Sequence, residues 1–97
     1  MGKSRSSVSG AQFGLAVSSS VVTLTVPNGA WVAEIYVRSN PVVFTRDGAT
    51  DPTATKGVQA AAGEIILLKS RDECLKARFI RQGSDATIDV EYFNDLA

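Results

Sequence analysis

An all-β fold, a single small β-sandwich or jelly-roll-like domain behind a flexible N-terminal arm, is predicted by three observations. Apolar side chains recur at every second position in several short runs. Clusters of Gly, Pro, Asn and Asp separate those runs. No stretch of useful length carries the three-to-four-residue apolar spacing of a helix. Residues 1–10 are read as the arm and residues 11–97 as the sandwich domain. A chain of 97 residues has room for one core, and at this size roughly two thirds of the unfolded chain's surface can be buried.

The arm, MGKSRSSVSG, is polar and slightly basic, with too few apolar groups to offset the entropy of ordering. From Gln12 onward Phe13, Leu15 and Val17 share one parity, the pattern of a first strand or of an extension of the arm. Residues 21–26, VVTLTV, set Val22, Leu24 and Val26 against Thr23 and Thr25, predicting a half-buried strand. Pro27, Asn28 and Gly29 supply a fixed φ, a side chain tolerant of left-handed backbone and a free backbone, so a tight turn follows and reads as a hairpin. Residues 31–38, WVAEIYVR, send Trp31, Ala33, Ile35 and Val37 one way and Val32, Glu34, Tyr36 and Arg38 the other. The first face is apolar and places Trp31 in the core; the second is mixed and meets solvent or a partner.

After Ser39, Asn40 and Pro41, residues 42–46 form another strand and lead into DGATDPTATKG, the longest irregular segment. Residues 64–68, EIILL, are apolar on both parities between Gly63 and a polar cluster, which suits a central strand buried on both faces. Ser70 and Glu73 stand in an S-x-x-E capping arrangement, enough for at most a single helical turn. In residues 76–82 the adjacent Phe79 and Ile80 cannot both enter one core from an unbroken strand, so a β-bulge or a second buried face is expected. Gly83, Ser84 and Asp85 signal a second hairpin. Beyond them Ala86, Ile88, Val90 and Tyr92 alternate with Thr87, Asp89, Glu91 and Phe93.

The composition narrows the chemistry. Ten basic residues balance ten acidic ones, so no global field draws the protein to nucleic acid or to an anionic membrane. No apolar run approaches the ~20 residues of a membrane span, and the N-terminus lacks the apolar centre of a signal peptide, so the protein is expected to stay in the cytoplasm of the cell that makes it. A single cysteine, Cys74, allows no internal disulfide, and the absence of histidine removes the commonest general base and metal ligand. Cys74 or a serine as nucleophile would therefore lack its usual proton acceptor.

Of the carboxylates that could form a glycosidase pair, Asp47, Asp51, Asp72, Glu73 and Asp85 lie in turns, where Asp is favoured for local backbone bonding; Asp89 lies in a strand. Asp47 and Asp51 match no calcium loop by spacing and read as turn formers. The opening MGKSRS fits the short N-myristoylation pattern but reads more simply as part of the arm. Lys69, Arg71, Lys76, Arg78 and Arg81 make a locally basic stretch that Asp72 and Glu73 interrupt, the pattern of a solvated face rather than a phosphate-binding one. No enzyme, cofactor or metal site is expected. Binding surfaces are the remaining function class, with Lys3 and Arg5 in the arm, Phe13 after it, and Glu34, Tyr36 and Arg38 on the mixed strand face as candidate partner-binding residues.

The run PNGAWVAEIYVRSNPVVFTRDGATDPTATKG, followed by AAGEIILLKSRDECLKARFIRQGSDATIDVEYF, resembles a group of small virion proteins of tailed bacteriophages. In that group an apolar-Phe-Thr strand end leads into a D-G-x-x-P-T-A-x-x-G loop, an A-G-[DE] turn, an apolar strand and a final hairpin ending in Tyr-Phe. The corresponding residues here are 43–45, 47–57, 62–64, 65–68 and 86–93, with Asp51 as an inserted residue before Pro52. The resemblance spans residues 22–94 and consists of turn and core positions. It implies a capsid-associated structural protein of the decoration or cement kind, located on the virion, contacting the major capsid protein or other virion proteins and forming a homo-oligomer, with a trimer preferred. It supplies no catalytic residue. A carbohydrate-binding or host-adhesion module using Tyr36 and the loop 47–57 is the alternative.

Overall fold

The structure is a computed structural model that describes residues 8–94. Lys3, Arg5 and the lipidation pattern fall outside the described residues. Eight strands and one short helix follow in the order β1 (Val8–Val17), β2 (Val22–Thr23), β3 (Val32–Ser39), β4 (Val42–Thr45), β5 (Val58–Ala60), β6 (Ile65–Leu68), α1 (Arg71–Lys76), β7 (Arg78–Arg81) and β8 (Ala86–Phe93). They form two antiparallel four-stranded sheets, a long one ordered β1-β8-β3-β6 and a short one ordered β2-β7-β4-β5. The pairings are nested: β4 with β5, β3 with β6, β2 with β7 and β1 with β8.

One core draws on both sheets. The long sheet contributes Val17, Ala33, Ile35, Val37, Ile66, Leu68, Ile88, Val90 and Tyr92, and the short sheet Val42, Phe44, Ala60 and Phe79. The alternation expected in residues 31–38 and 86–93 is what puts these side chains inside: Ala33, Ile35 and Ile88 have no exposed surface, and Ala86, Val90 and Tyr92 follow the same parity. Phe44 and Phe79, neighbours in the β4·β7 ladder, stack with ring centroids 5.9 Å apart. Tyr92 carries a hydroxyl into this interior and donates it to Gln12 Oε1 at 2.5 Å, which relieves the cost of burying an unpaired polar group. Cys74, on α1, is fully buried in the same core.

The first turn signal is a hydrogen-bonded turn and the second a bend, but neither makes a hairpin. Ala30 N donates to Pro27 O at 3.2 Å around Gly29 at φ 84°, a left-handed position that suits glycine. This turn carries the chain from β2 in the short sheet to β3 in the long one. Residues 83–85 likewise lead from β7 in the short sheet to β8 in the long one. Asn40, at φ 60°, turns the chain between β3 and β4, again from one sheet to the other. Local turn chemistry fixes the bend, whereas the partner of each strand is set by which apolar faces meet.

Several elements depart from the sequence reading. β1 begins at Val8, inside the stretch read as arm, because Gly10, Ala11 and Gln12 find Tyr92, Glu91 and Val90 to pair with. Phe13 leaves the parity of Leu15 and Val17: the register shifts between Gln12 and Leu15, with Gly14 at φ 69°, so an extra residue turns Phe13 outward. Only Val22–Thr23 of residues 21–26 forms a ladder, yet Leu24 and Val26 still pack on the core. Trp31 is not core; it precedes β3 and is 46% exposed. Residues 65–68 form an edge strand with alternating burial, not a central one. Helix α1 runs six residues, more than a single turn, with Ser70 Oγ accepting from Glu73 N at 3.1 Å. The Phe79–Ile80 pair needs no bulge, since β7 stays in register with β4; Phe79 points to the core and Ile80 to a partly buried outer face.

Candidate functional site

Every second residue of the long sheet points away from the core, and strand register sorts these residues into cross-strand rows. One row runs from the Phe13–Gly14 bulge of β1 through Asp89 of β8 and Tyr36 of β3 to Ile65 of β6. The next runs from Ala11 through Glu91 and Glu34 to Leu67. Four strands at their usual spacing make each row about 14 Å wide. Four of the residues expected to meet a partner, Phe13, Glu34, Tyr36 and Arg38, thus stand on one surface.

The centre of this face is a hydrogen-bonded polar group. Tyr36 donates its hydroxyl to Glu34 Oε1 at 2.7 Å, with Glu91 Oε1 at 3.5 Å on the neighbouring strand. Bonding to the Glu34 carboxylate, then partial burial and the charges of Glu34 and Glu91, push the phenol up to about 12. Asp89 ties two strands to its own: Oδ1 accepts Gly14 N at 2.7 Å, holding the bulge that presents Phe13, and Oδ2 meets Arg38 at 3.2 Å. Around this centre stand apolar side chains at both edges, Phe13 at 69% exposure on one side and Ile65 at 62% with Leu67 at 39% on the other. Exposed large apolar side chains on an ordered sheet face are the groups that contact with another protein would bury.

Ile65 and Leu67 were hidden from sequence reasoning because a run of four apolar residues has no visible parity. Their position on an edge strand decides that one parity is outside. Beside β6, a cleft of about 390 Å³ opens between the edges of the two sheets, lined by Phe44, Val58, Ala60 and Ile66 with Arg46 and Glu64 as its charged groups.

The remaining candidates serve the fold. Asp47 Oδ1 accepts Ala49 N and Thr50 N at 3.0 and 2.8 Å, and Oδ2 accepts Thr50 Oγ1 at 2.6 Å, bonds that hold its carboxyl well below the usual carboxylate range. Asp51 pairs with Arg78 at 2.7 Å, and the same guanidinium donates to Gly48 O at 2.8 Å, fastening the loop 47–57 over the outer side of the short sheet. Pro52 is buried there, and Gly57 approaches Val43 so closely that a Cβ would stand 2.7 Å from its Cγ1. Tyr36 and this loop therefore lie on different sheets, each on the side away from the shared core.

Of the basic stretch, Arg71 donates to Pro27 O and Ala30 O, while Lys76, Arg78 and Arg81 pair with Asp72, Asp51 and Asp85. Burial pushes the Cys74 thiol up to about 11, far from a nucleophile's range. Among the described residues no group of three or more His, Cys, Asp or Glu is arranged to hold a metal ion. Nor is any helix there long and apolar enough to cross a membrane.

Set beside known protein families, curated proteins and solved structures, the chain finds no match in any of the three.

Proposed function

We propose that the protein is an assembly module of a phage shell, a decoration or cement protein that docks on capsid or other virion proteins through the outer face of its long sheet. The observation that carries the reading is the gathering of Phe13, Tyr36, Ile65 and Leu67 on one sheet face around a braced polar centre. Glu34 belongs to that polar centre and Arg38 borders it through Asp89, while Lys3 and Arg5, outside the described residues, are the arm's candidate contacts. The reading of the shell as a phage capsid rests on the sequence resemblance in residues 22–94.

The finer fold assignment belongs to the same proposal: the domain is a jelly-roll β-sandwich. Its support is the nesting of the four pairs 4–5, 3–6, 2–7 and 1–8, the order produced when a long antiparallel ribbon is rolled on itself so that strands alternate between two layers. Such a roll buries one face of each sheet and leaves two outer faces and four edge strands for contact. A glycan-binding reading through Tyr36 and the loop 47–57 has less support, since the two lie on separate surfaces and the Tyr36 hydroxyl is engaged by Glu34.

The test is to add purified protein to capsids lacking it and to image the particles. The expected result is saturable binding in fixed register with the capsid lattice, weakened at least tenfold by Phe13→Asp or Leu67→Asp, since each puts a charge where an exposed apolar side chain would be buried. Deleting residues 2–7, which leaves β1 intact, measures the arm's share. Absence of the protein from purified virions would sink the reading.

A further inference from the structure

Strand β6 is an edge without the usual protection. It pairs with β3 alone, so every second N–H and C=O points away from the sheet. Its four residues are IILL, with neither proline nor charge, and its register with β3 is unbroken. The other edges are guarded: β1 is interrupted twice by register shifts, β2 has two residues and β5 three.

The segment is also complementary to itself. Glu64 precedes the strand and Lys69 follows it. Antiparallel apposition of two copies puts each Glu64, whose Oε1 also accepts Ala61 N at 2.7 Å, at the end of the pair that carries the other copy's Lys69. The two stand one position out of direct opposition and on opposite faces of the sheet, so the charges attract across the end without an ion pair, whereas parallel apposition sets like charges together. Among the described residues Lys69 forms no ion pair within the chain. Side-chain direction fixes the register further. Ile66 and Leu68 face the core and Ile65 and Leu67 face out. Opposing the two Ile66 residues sets Ile65 of one copy against Leu67 of the other, twice, with outer face continuing into outer face. The cleft beside β6, with Val58 51% exposed at its rim, opens toward the same edge.

We propose that the protein pairs with a second copy of itself through β6, antiparallel about a two-fold axis, joining two long sheets into one of eight strands. The contact goes beyond the shell-docking reading and does not depend on it; a three-fold contact would use another surface.

Sedimentation velocity over a concentration series tests it, with expected reversible conversion of monomer to dimer. Glu64→Lys alone and Lys69→Glu alone each set like charges near both ends of the pair and weaken the dimer by about threefold. Mixing the two variants restores association as a one-to-one heterodimer, since each end again joins opposite charges. Amide hydrogen exchange of the unaltered protein serves as a second readout independent of any variant, with the Ile65 and Leu67 N–H groups slowing as the dimer forms. A monomer up to the solubility limit, no recovery on mixing, or dimerisation without added protection at residues 65 and 67 overturns the proposal.

Discussion

Tyr36 shows how a single hydrogen bond is written into a titration. Its phenol is stabilised in the protonated form by donating to Glu34, so it ionises near 12 rather than 10. A folded-state value raised above the unfolded one contributes stability that is present below pH 10 and lost as pH rises through 12. Tyr92, raised by burial, ionises later still. Tyrosinate absorbance is therefore expected to stay low between pH 10 and 11 in the folded protein, and Glu34→Gln is expected to bring the Tyr36 transition down. Gly57 makes a different kind of residue-scale argument. At φ 128° and with Val43 Cγ1 and Phe44 O at 2.7 and 2.9 Å from a built Cβ, it has neither backbone nor space for a side chain. Gly57→Ala is expected to cost about 1–3 kcal/mol in urea unfolding, from strain and overpacking together. The turn signal at residue 57 was legible in the sequence. That it lies against the outer side of β4 was not, because the contact joins residues distant in the chain.

At the scale of elements, the loop 47–57 is long yet ordered because bonds organise its first half and the paired Thr53–Lys56 backbone groups close its second. Thr45 Oγ1 donates to Thr50 O at 2.6 Å, Asp47 organises the turn, and Arg78 reaches across from β7. Removing the guanidinium by Arg78→Ala is expected to cost about 1–2 kcal/mol, mostly from the bond to Gly48 O, since the pair with exposed Asp51 is worth little. Limited proteolysis should then cut within residues 47–57 before any other described segment. The depressed Asp47 carboxyl adds a pH dependence of known sign. Its contribution is complete above the ordinary value of 3.8 and is lost as pH falls below it. Asp47→Asn is thus expected to flatten the acid side of the stability profile below pH 3.8, read by thermal unfolding in a pH series. The strands themselves were mostly visible as alternation; for β2 the alternation gave the place but not the extent, since six residues of strand-like pattern need a neighbour along their whole length and find one only at Arg78 and Phe79.

For the molecule as a whole, the shared core implies that the two sheets stand or fall together. Phe79 has no exposed surface and stacks on Phe44. Phe79→Ala is expected to cost about 3–5 kcal/mol, a large part of the stability of a domain this size. Cys74, buried in the same core, reports the event: its thiol should resist disulfide reagents in the native protein and react when the domain opens. Coincidence of thiol exposure with loss of the β-sheet circular dichroism signal marks one cooperative unit, and thiol exposure well ahead of it would mean that α1 detaches alone.

By itself the sequence determined the class of structure and most of the core, because side chains alternate across a strand with period two and turn residues have narrow backbone preferences. Ala33, Ile35, Ile88 and Val90 could be assigned inward from spacing alone. Tertiary structure decided what spacing is blind to. It turned Phe13 outward through a one-residue bulge, left Trp31 exposed ahead of its strand, and made the uniformly apolar β6 an edge with Ile65 and Leu67 in the open. Each of these depends on which strand lies beside which, and in a nested fold the neighbours of β1 and β6 come from distant parts of the chain. A local pattern gives a residue its direction relative to its own strand; only the neighbouring strand gives it an inside or an outside.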